Sequence, residues 1–409
     1  MQLFYTLGIY LYVCAIRIAS AFRPKAKKWL EGRKDLFKHL AEELQGAEQI
    51  IWFHCASLGE FEQGRPLFEQ LKLTRPGFRI LLTFYSPSGY EIRKKYALAD
   101  WVFYMPLDTP ANAKTFLDIV RPSAVFIVKY EFWYNFLTAL ANRKIRTYLV
   151  SGVFREDQIF FKWYGAWFRK KLNVYTQFYL QDTESALLLA RYGFMNTLVS
   201  GDTRFDRVRQ IAAEAREIPQ IGIFGQATRL FIAGSAWAGD LNILARSALF
   251  DKGYKLVIAP HETDAAFIRE SEAFFSAKKV LRFSELDEQN ISTADVLIID
   301  NVGMLSALYR YGTLAWIGGG FGDGIHNILE AAVFGLPVMF GPNHEKFPEA
   351  QALISRGAAF CIQSPDALNA LLEKMDQVSF LTASGAAAAA YVAENAGATP
   401  KILRDAVLE

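Results

Sequence analysis

The chain has 409 residues, enough for two domains, with 52% hydrophobic and 14% aromatic residues and a formal net charge of +3. The charge is unevenly spread: residues 1–34 hold seven Lys/Arg against one Glu, a local +6, which leaves −3 on everything that follows. A globally basic nucleic-acid surface is thereby excluded, whereas a basic cluster beside an apolar run is what an anionic membrane leaflet attracts.

That apolar run extends from Leu3 to Phe22, with Arg17 as its only charge. It is long enough to span or embed, and the bases follow it instead of preceding a small-residue cleavage site, which argues for an anchor over a removable signal. The positive-inside tendency then puts the bulk of the chain on the cytoplasmic side. Residues 1–22 are read as the anchor helix, spanning or lying in one leaflet.

From residue 49 onward, apolar runs of strand length alternate with helical stretches. The first series is Gln49–His54, Phe78–Phe84, Trp101–Met105, Ser123–Val128, Ile145–Val150 and Val174–Gln181, with a short strand at Leu198–Ser200. Runs apolar on both faces belong to parallel sheets covered by helices. The series restarts with Leu230–Gly234, Tyr254–Ala259, Val296–Asp300, Thr313–Ile317 and Leu336–Phe340. The fold class expected is α/β, two doubly wound Rossmann-like domains facing a cleft, divided as 23–210 and 211–409 with a linker near 208–228. Ala383–Ala398 reads as a C-terminal helix capped by Thr382 or Ser384. Phe160–Lys171 shows aromatics at i, i+3, i+4, i+7 and i+8 with bases between them, which predicts a helix whose aromatic side faces a membrane interface or, alternatively, the core with a solvated basic edge.

Carboxylates recur at predicted strand ends. Glu60 follows His54-Cys55-Ala56-Ser57-Leu58-Gly59, and Glu131 follows Val128-Lys129-Tyr130. A carboxylate at such a turn suits a general base on an acceptor hydroxyl, or simply the N-terminus of a helix. Arg204, in Gly201-Asp202-Thr203-Arg204-Phe205-Asp206, offers a cation for phosphate. In the second half, Pro260-His261 and Asp300-Asn301-Val302-Gly303-Met304 end two strands. Gly318-Gly319-Gly320-Phe321-Gly322-Asp323-Gly324-Ile325-His326-Asn327-Ile328-Leu329-Glu330 joins a buried strand to a glycine loop and a predicted helix start, where backbone N–H groups can meet an anion. Asn327 and Glu330 share a face there, so the Glu330 carboxylate can accept ribose hydroxyls.

Cys14, Cys55 and Cys361 show no paired spacing, and the five histidines form no HExxH motif or His-rich cluster. A reducing compartment fits and no metal site is supported.

In this order the motifs resemble the 3-deoxy-D-manno-octulosonic acid (Kdo) transferases of lipopolysaccharide synthesis, glycosyltransferases of the GT-B fold. The resemblance covers nearly the whole chain: the apolar N-terminal helix, Trp52–Glu60, Glu131-Phe132-Trp133, Gly201–Asp206, Ala233-Gly234-Ser235 and the glycine run ending in His326-Asn327-Ile328-Leu329-Glu330. It implies inverting, metal-independent and cofactor-free transfer of Kdo from CMP-Kdo to the lipid A precursor, an acylated, phosphorylated glucosamine disaccharide, with no nucleic-acid partner. It further implies Glu60 as catalytic base, Glu131 and Arg204 as supports of the transition state, and Pro260, His261, Val302, Gly303, Met304, Asn327, Ile328, Leu329 and Glu330 as CMP contacts. The chain departs from the family where P-R-H-P becomes Pro260-His261-Glu262-Thr263, where an acidic residue becomes Lys129, where a lysine becomes Arg204, and where G-E-L becomes Gly303-Met304-Leu305. Another membrane-associated GT-B transferase using a nucleotide sugar, or a non-catalytic nucleotide-binding relative, are the alternatives.

Overall fold

The computed structural model describes residues 1–287 and 290–408. It divides into two compact units, the first formed by Met1–Arg207 together with the C-terminal segment from Ala396, the second by Val208–Asn395.

The first unit holds seven strands: β1 (Ile50–Cys55), β2 (Arg79–Phe84), β3 (Trp101–Tyr104), β4 (Ala124–Val128), β5 (Arg146–Gly152), β6 (Gln177–Leu180) and β7 (Thr197–Val199). They form one sheet in the order β3-β2-β1-β4-β5-β6-β7, parallel throughout. Every residue of β1 and β4 is buried, as their unbroken apolar runs require of strands covered on both faces. Alternate side chains feed two separate cores, Trp52, Val125 and Leu149 into one and Phe53, Phe126 and Tyr148 into the other.

The second unit repeats the plan with β8 (Arg229–Ala236), β9 (Tyr254–Pro260), β10 (Val280–Arg282), β11 (Val296–Ile298), β12 (Leu314–Ile317), β13 (Val338–Phe340) and β14 (Ala359–Cys361). The order is β10-β11-β9-β8-β12-β13-β14, again parallel. In each sheet the first strand in sequence lies internally, and the chain winds away from it in both directions. The reversal falls between β1 and β4 in one unit and between β8 and β12 in the other, the places where doubly wound sheets hold ligands.

Three sequence expectations need correction. The tail does not belong with residues 211–395: the helix Ala398–Asp405 returns to the first unit, where Ile402 and Leu408 enter a core cluster and the Tyr148 hydroxyl donates to the Val407 carbonyl at 2.6 Å. The C-terminal alanine-rich helix starts earlier than expected, at Val378, so Thr382 and Ser384 lie inside it and cap nothing. Phe160–Lys171 is not one helix. A 3-10 turn at Ile159–Phe161 buries Phe160 and Phe161, the chain turns at residues 162–165, and a separate helix runs Ala166–Lys171. Trp163 is left 92% exposed, while Trp167 packs on Tyr134. The aromatic spacing therefore served core packing at one end and exposure at the other.

Candidate active site and nucleotide seat

In the first unit Glu60 follows β1 by one turn. Ser57 caps the helix Leu58–Thr74 in a capping box: its amide donates to Glu60 Oε2 at 3.1 Å and its hydroxyl to the same oxygen. Glu60 is half-buried, so the carboxylate is fixed by the backbone yet keeps lone pairs for a further donor. Glu131 follows β4, the neighbour of β1. Both carboxylates act on Cys55 at the end of β1, whose thiol is pushed up first by burial and then by Glu60, Glu131 and Glu62. The sheet thus brings the two together at its reversal point.

A buried chain of donors sits behind Glu131. The Trp133 indole N–H donates to His54 Nε2 at 3.1 Å, and His54 Nδ1 meets Thr83 Oγ1 at 2.9 Å, which also accepts from the Trp52 indole at 2.7 Å. An indole can only donate, so Nε2 is an acceptor and the neutral imidazole carries its proton on Nδ1. His54 Nε2 lies 3.7 Å from Glu131 Oε2. Lys129, between β4 and Glu131, takes a left-handed φ of 61°, a conformation that costs a non-glycine residue energy and redirects the chain beyond the strand.

Arg204 stands in the first turn of the helix Thr203–Glu214. Its Nε donates to Asp202 Oδ2 at 2.7 Å, and Thr203 Oγ1 meets Ser151 Oγ at the end of β5, 3.0 Å away. Asp202 is buried and Arg204 only partly so, which orients the guanidinium from behind.

In the second unit the loops after β8, β9 and β12 enclose a cavity of about 510 Å³ lined by Trp237, Asp240, His261, Phe321, His326 and glycine backbone. The Trp237 indole donates to His326 Nε2 at 3.2 Å. His261 stacks on both rings, at centroid distances of 4.2 Å to Trp237 and 4.6 Å to His326. Burial, then the neighbouring His261, hold His326 below the usual histidine range, so at neutral pH it is uncharged, with its proton on Nδ1. Asp240 braces the loops: it accepts from the amides of Trp237 (2.9 Å) and Gly319 (3.0 Å) and from the Trp316 indole (3.0 Å). Burial pushes its carboxyl up, and these three donors oppose the shift.

The remaining expected residues fall around this cavity unequally. Pro260 is buried at the end of β9, and His261 is exposed on the cavity wall. Asn327 precedes its helix: Leu329–Ala332 is a single turn, too short for a substantial dipole, which corrects the expected helix start. Asn327 Nδ2 donates to Glu330 Oε1 at 3.0 Å, and its Oδ1 accepts from the Leu329 amide. Ile328 and Leu329 are buried and can offer a ligand only backbone. The charge of Glu330 reaches the buried Tyr309 phenol, which underlies Gly234 together with Leu305. Glu330 therefore shares a region with the segment begun by Met304. Val302 is 83% exposed, and Gly303 takes a φ of +92°.

Sequence reading assigned no role to Trp237, Asp240 or His326. The available signal was an acid three residues after the Trp that follows Ala233-Gly234-Ser235-Ala236. Among the described residues no group of three or more His, Cys, Asp or Glu is placed to hold a metal ion.

Residues 30–207 match the sequence model of the family described as 3-deoxy-D-manno-octulosonic-acid transferase (kdotransferase). A 3-deoxy-D-manno-octulosonic acid transferase of Aquifex aeolicus is 28% identical over 330 residues, covering 79% of this chain and 85% of that protein. One from Haemophilus influenzae is 26% identical over 413 residues, covering 96% and 94%. Among solved structures, the UDP-GlcNAc 2-epimerase of Neisseria meningitidis superposes with a TM-score of 0.63 at 13% identity, covering 87% of this chain and 98% of that one. MurG of Acinetobacter baumannii gives 0.54 at 14% identity, with the same coverage. At such identities these two establish the GT-B-like fold and nothing of the chemistry.

Proposed function

We propose, for a chain that is a glycosyltransferase relative of the Kdo transferases, that it moves Kdo from CMP-Kdo to a hydroxyl of the lipid A precursor at the cytoplasmic face of the inner membrane. The observation that carries this reading is the placement of Glu60 and Glu131 beyond the ends of the neighbouring strands β1 and β4, in a segment that matches the family's sequence model.

In this reading Glu60 is the general base. Its carboxylate removes the proton from the acceptor hydroxyl as that oxygen attacks the anomeric carbon, and CMP departs from the opposite face with inversion. The capping box supports the role, because Ser57 fixes the carboxylate before substrate arrives. Glu131, 3.7 Å from His54 Nε2, supports the positive charge that develops on the sugar ring. Arg204, oriented by Asp202, supports the leaving phosphate, as preorganised electrostatics do in group transfer.

The second unit takes the donor. Glu330, held by Asn327, receives the ribose hydroxyls; Pro260, His261, Val302, Gly303, Met304, Ile328 and Leu329 complete the CMP contacts. Residues 1–34, apolar and then basic, keep the enzyme at the surface that holds its lipid acceptor.

The test is the product mass after incubating the full chain with a lipid A precursor and CMP-Kdo generated in situ. A mass increase of one or more Kdo units supports the proposal and counts the units added. CMP binding without any product returns the chain to a non-catalytic role.

A further inference from the structure

The N-terminal helix Gln2–Ser20 is, among the described residues, the one helix long and apolar enough to cross a membrane. Its first turns are nevertheless fastened to the first unit. Gln2 Nε2 donates to Asn135 Oδ1 at 3.0 Å, the Tyr5 hydroxyl donates to Asp108 Oδ2 at 2.6 Å, and Asn135 Nδ2 donates to Thr6 Oγ1 at 3.2 Å. Asp108 is itself buried and also accepts the amides of Asn135 and Phe136. Tyr5 packs edge-on against Tyr134 at 5.0 Å.

The chain is fastened again at mid-helix and beyond the helix. Tyr12 meets Trp29, which is buried. Arg33 then donates to the carbonyls of Met105 (3.0 Å) and Tyr85 (2.8 Å) and lies over the Trp29 ring at 3.9 Å. A helix of this length runs about 28 Å, close to the roughly 30 Å thickness of a hydrocarbon core. To cross, it would have to place one end beyond the far headgroups, yet its first turn, its middle and the chain at Arg33 that follows it are all bound to the same unit.

The two sides of the helix have opposite characters. The side that meets the protein carries Gln2, Tyr5, Thr6 and Val13, spaced i, i+3, i+4 and i+11. The side turned away carries Leu3, Phe4, Leu7, Leu11 and Ile18, each 53–78% exposed. At 100° per residue these five fall within a stripe about 100° wide. Large apolar groups turned outward are the inverse of a water-facing surface helix.

We propose that this helix lies flat in one leaflet of an anionic bilayer, with Leu3, Phe4, Leu7, Leu11 and Ile18 among the acyl chains and both helix ends on the side of the two units. The inference rests on the membrane-bound reading above and replaces a crossing anchor with an in-plane one. The occupant of the stripe is lipid because the helix carries Arg17 in its last turn and leads into Arg23, Lys25, Lys27, Lys28 and Lys34, which match anionic headgroups at the edge of the buried face. Exposed Trp163, in the turn before the helix that brings Trp167 to within 6.2 Å of Tyr5, adds an interfacial aromatic near the N-terminal end.

The full chain, tagged at both termini through protease-cleavable linkers, is reconstituted in proteoliposomes of phosphatidylethanolamine and phosphatidylglycerol and treated with external protease. An in-plane helix predicts that each molecule loses both tags or neither, whichever way it is oriented. Molecules that lose one tag and keep the other until detergent is added would overturn the proposal while leaving membrane attachment intact. No vesicle association at all would instead defeat the membrane-bound reading. A second variant, Leu7→Lys with Leu11→Lys, changes only the outward stripe: it should stay folded, bind CMP like the parent and bind the vesicles at least tenfold more weakly. Unchanged vesicle binding by that variant would also overturn the proposal.

Discussion

Glu60 combines a structural duty with its proposed chemical one, and two substitutions separate them. Glu60→Gln retains an oxygen for the Ser57 amide, so its melting temperature and CMP affinity should stay near those of the parent while most turnover is lost. Glu60→Ala loses the capping box as well and should cost about 1 kcal/mol of stability by denaturant titration. Near-parental kcat in the glutamine variant would remove Glu60 from the base role. For the donor seat, Glu330→Ala should weaken CMP binding by about 1.5–3 kcal/mol by calorimetry, the range for a hydrogen bond to a charged group; unchanged affinity would remove Glu330 from the donor seat. Asp100 offers a pH test. Burial alone would raise its carboxyl, but Lys72, the Ile80 amide and Arg79 hold it below the ordinary range. The folded state therefore binds this proton less tightly than the unfolded chain, and its stabilisation is present above the unfolded pKa and lost as pH falls through the folded one. Asp100→Asn should destabilise at pH 7 by about 1 kcal/mol once solvent screening is allowed for, with the difference from the parent beginning to shrink as the pH falls through the unfolded carboxylate range, near 3.9, and vanishing below the folded one. A difference that is flat with pH would mean that the lost contact is steric.

At the scale of elements, the strands were legible because burial on both faces leaves an unbroken apolar run. Ile50–Cys55 and Ala124–Val128 lie within one residue of their expected bounds. β10 and β14 escaped because three-residue edge strands with half-exposed side chains carry no such run. Phe160–Lys171 misled for a different reason: helical spacing does not say that the backbone stays helical, and Gly165 sits where an added Cβ would strike the Ile159 carbonyl. The strand-end positions of Glu60 and Glu131 were readable, but the rings of Trp237, His261 and His326 come from three separate loops and meet only through the sheet order. The glycine loop was legible as a close approach. A Cβ on Gly320 would lie 2.5 Å from the Gly341 amide nitrogen, so Gly320→Ala should force the ends of β12 and β13 apart and cost about 1–3 kcal/mol in denaturant unfolding. CMP affinity should fall with it, since the displaced loop carries the cavity wall. Parental stability in that variant would show that the loop yields freely.

At the scale of the molecule, the second unit is an insertion into the first. The chain leaves at Arg207 and returns at Ala396, and Asp206 joins the two crossings by accepting the amides of Gly397 at 2.5 Å and Thr399 at 2.6 Å. Removing residues 396–409 should uncover the core face that Ile402 and Leu408 fill, lowering the melting transition of the first unit while leaving CMP binding by the second in place. Coincident loss of both transitions would mean that the units unfold as one. The arrangement has a consequence for synthesis. Because the ribosome delivers the chain from its N-terminus, the unit begun first is finished last: its sheet must wait, with one flank open, until the entire inserted unit has emerged and the final helix arrives to close it. A nascent chain stalled before Ala396 would present that apolar flank to the cell, and a stretch of translation nearly half the length of the protein separates the opening of this core from its sealing.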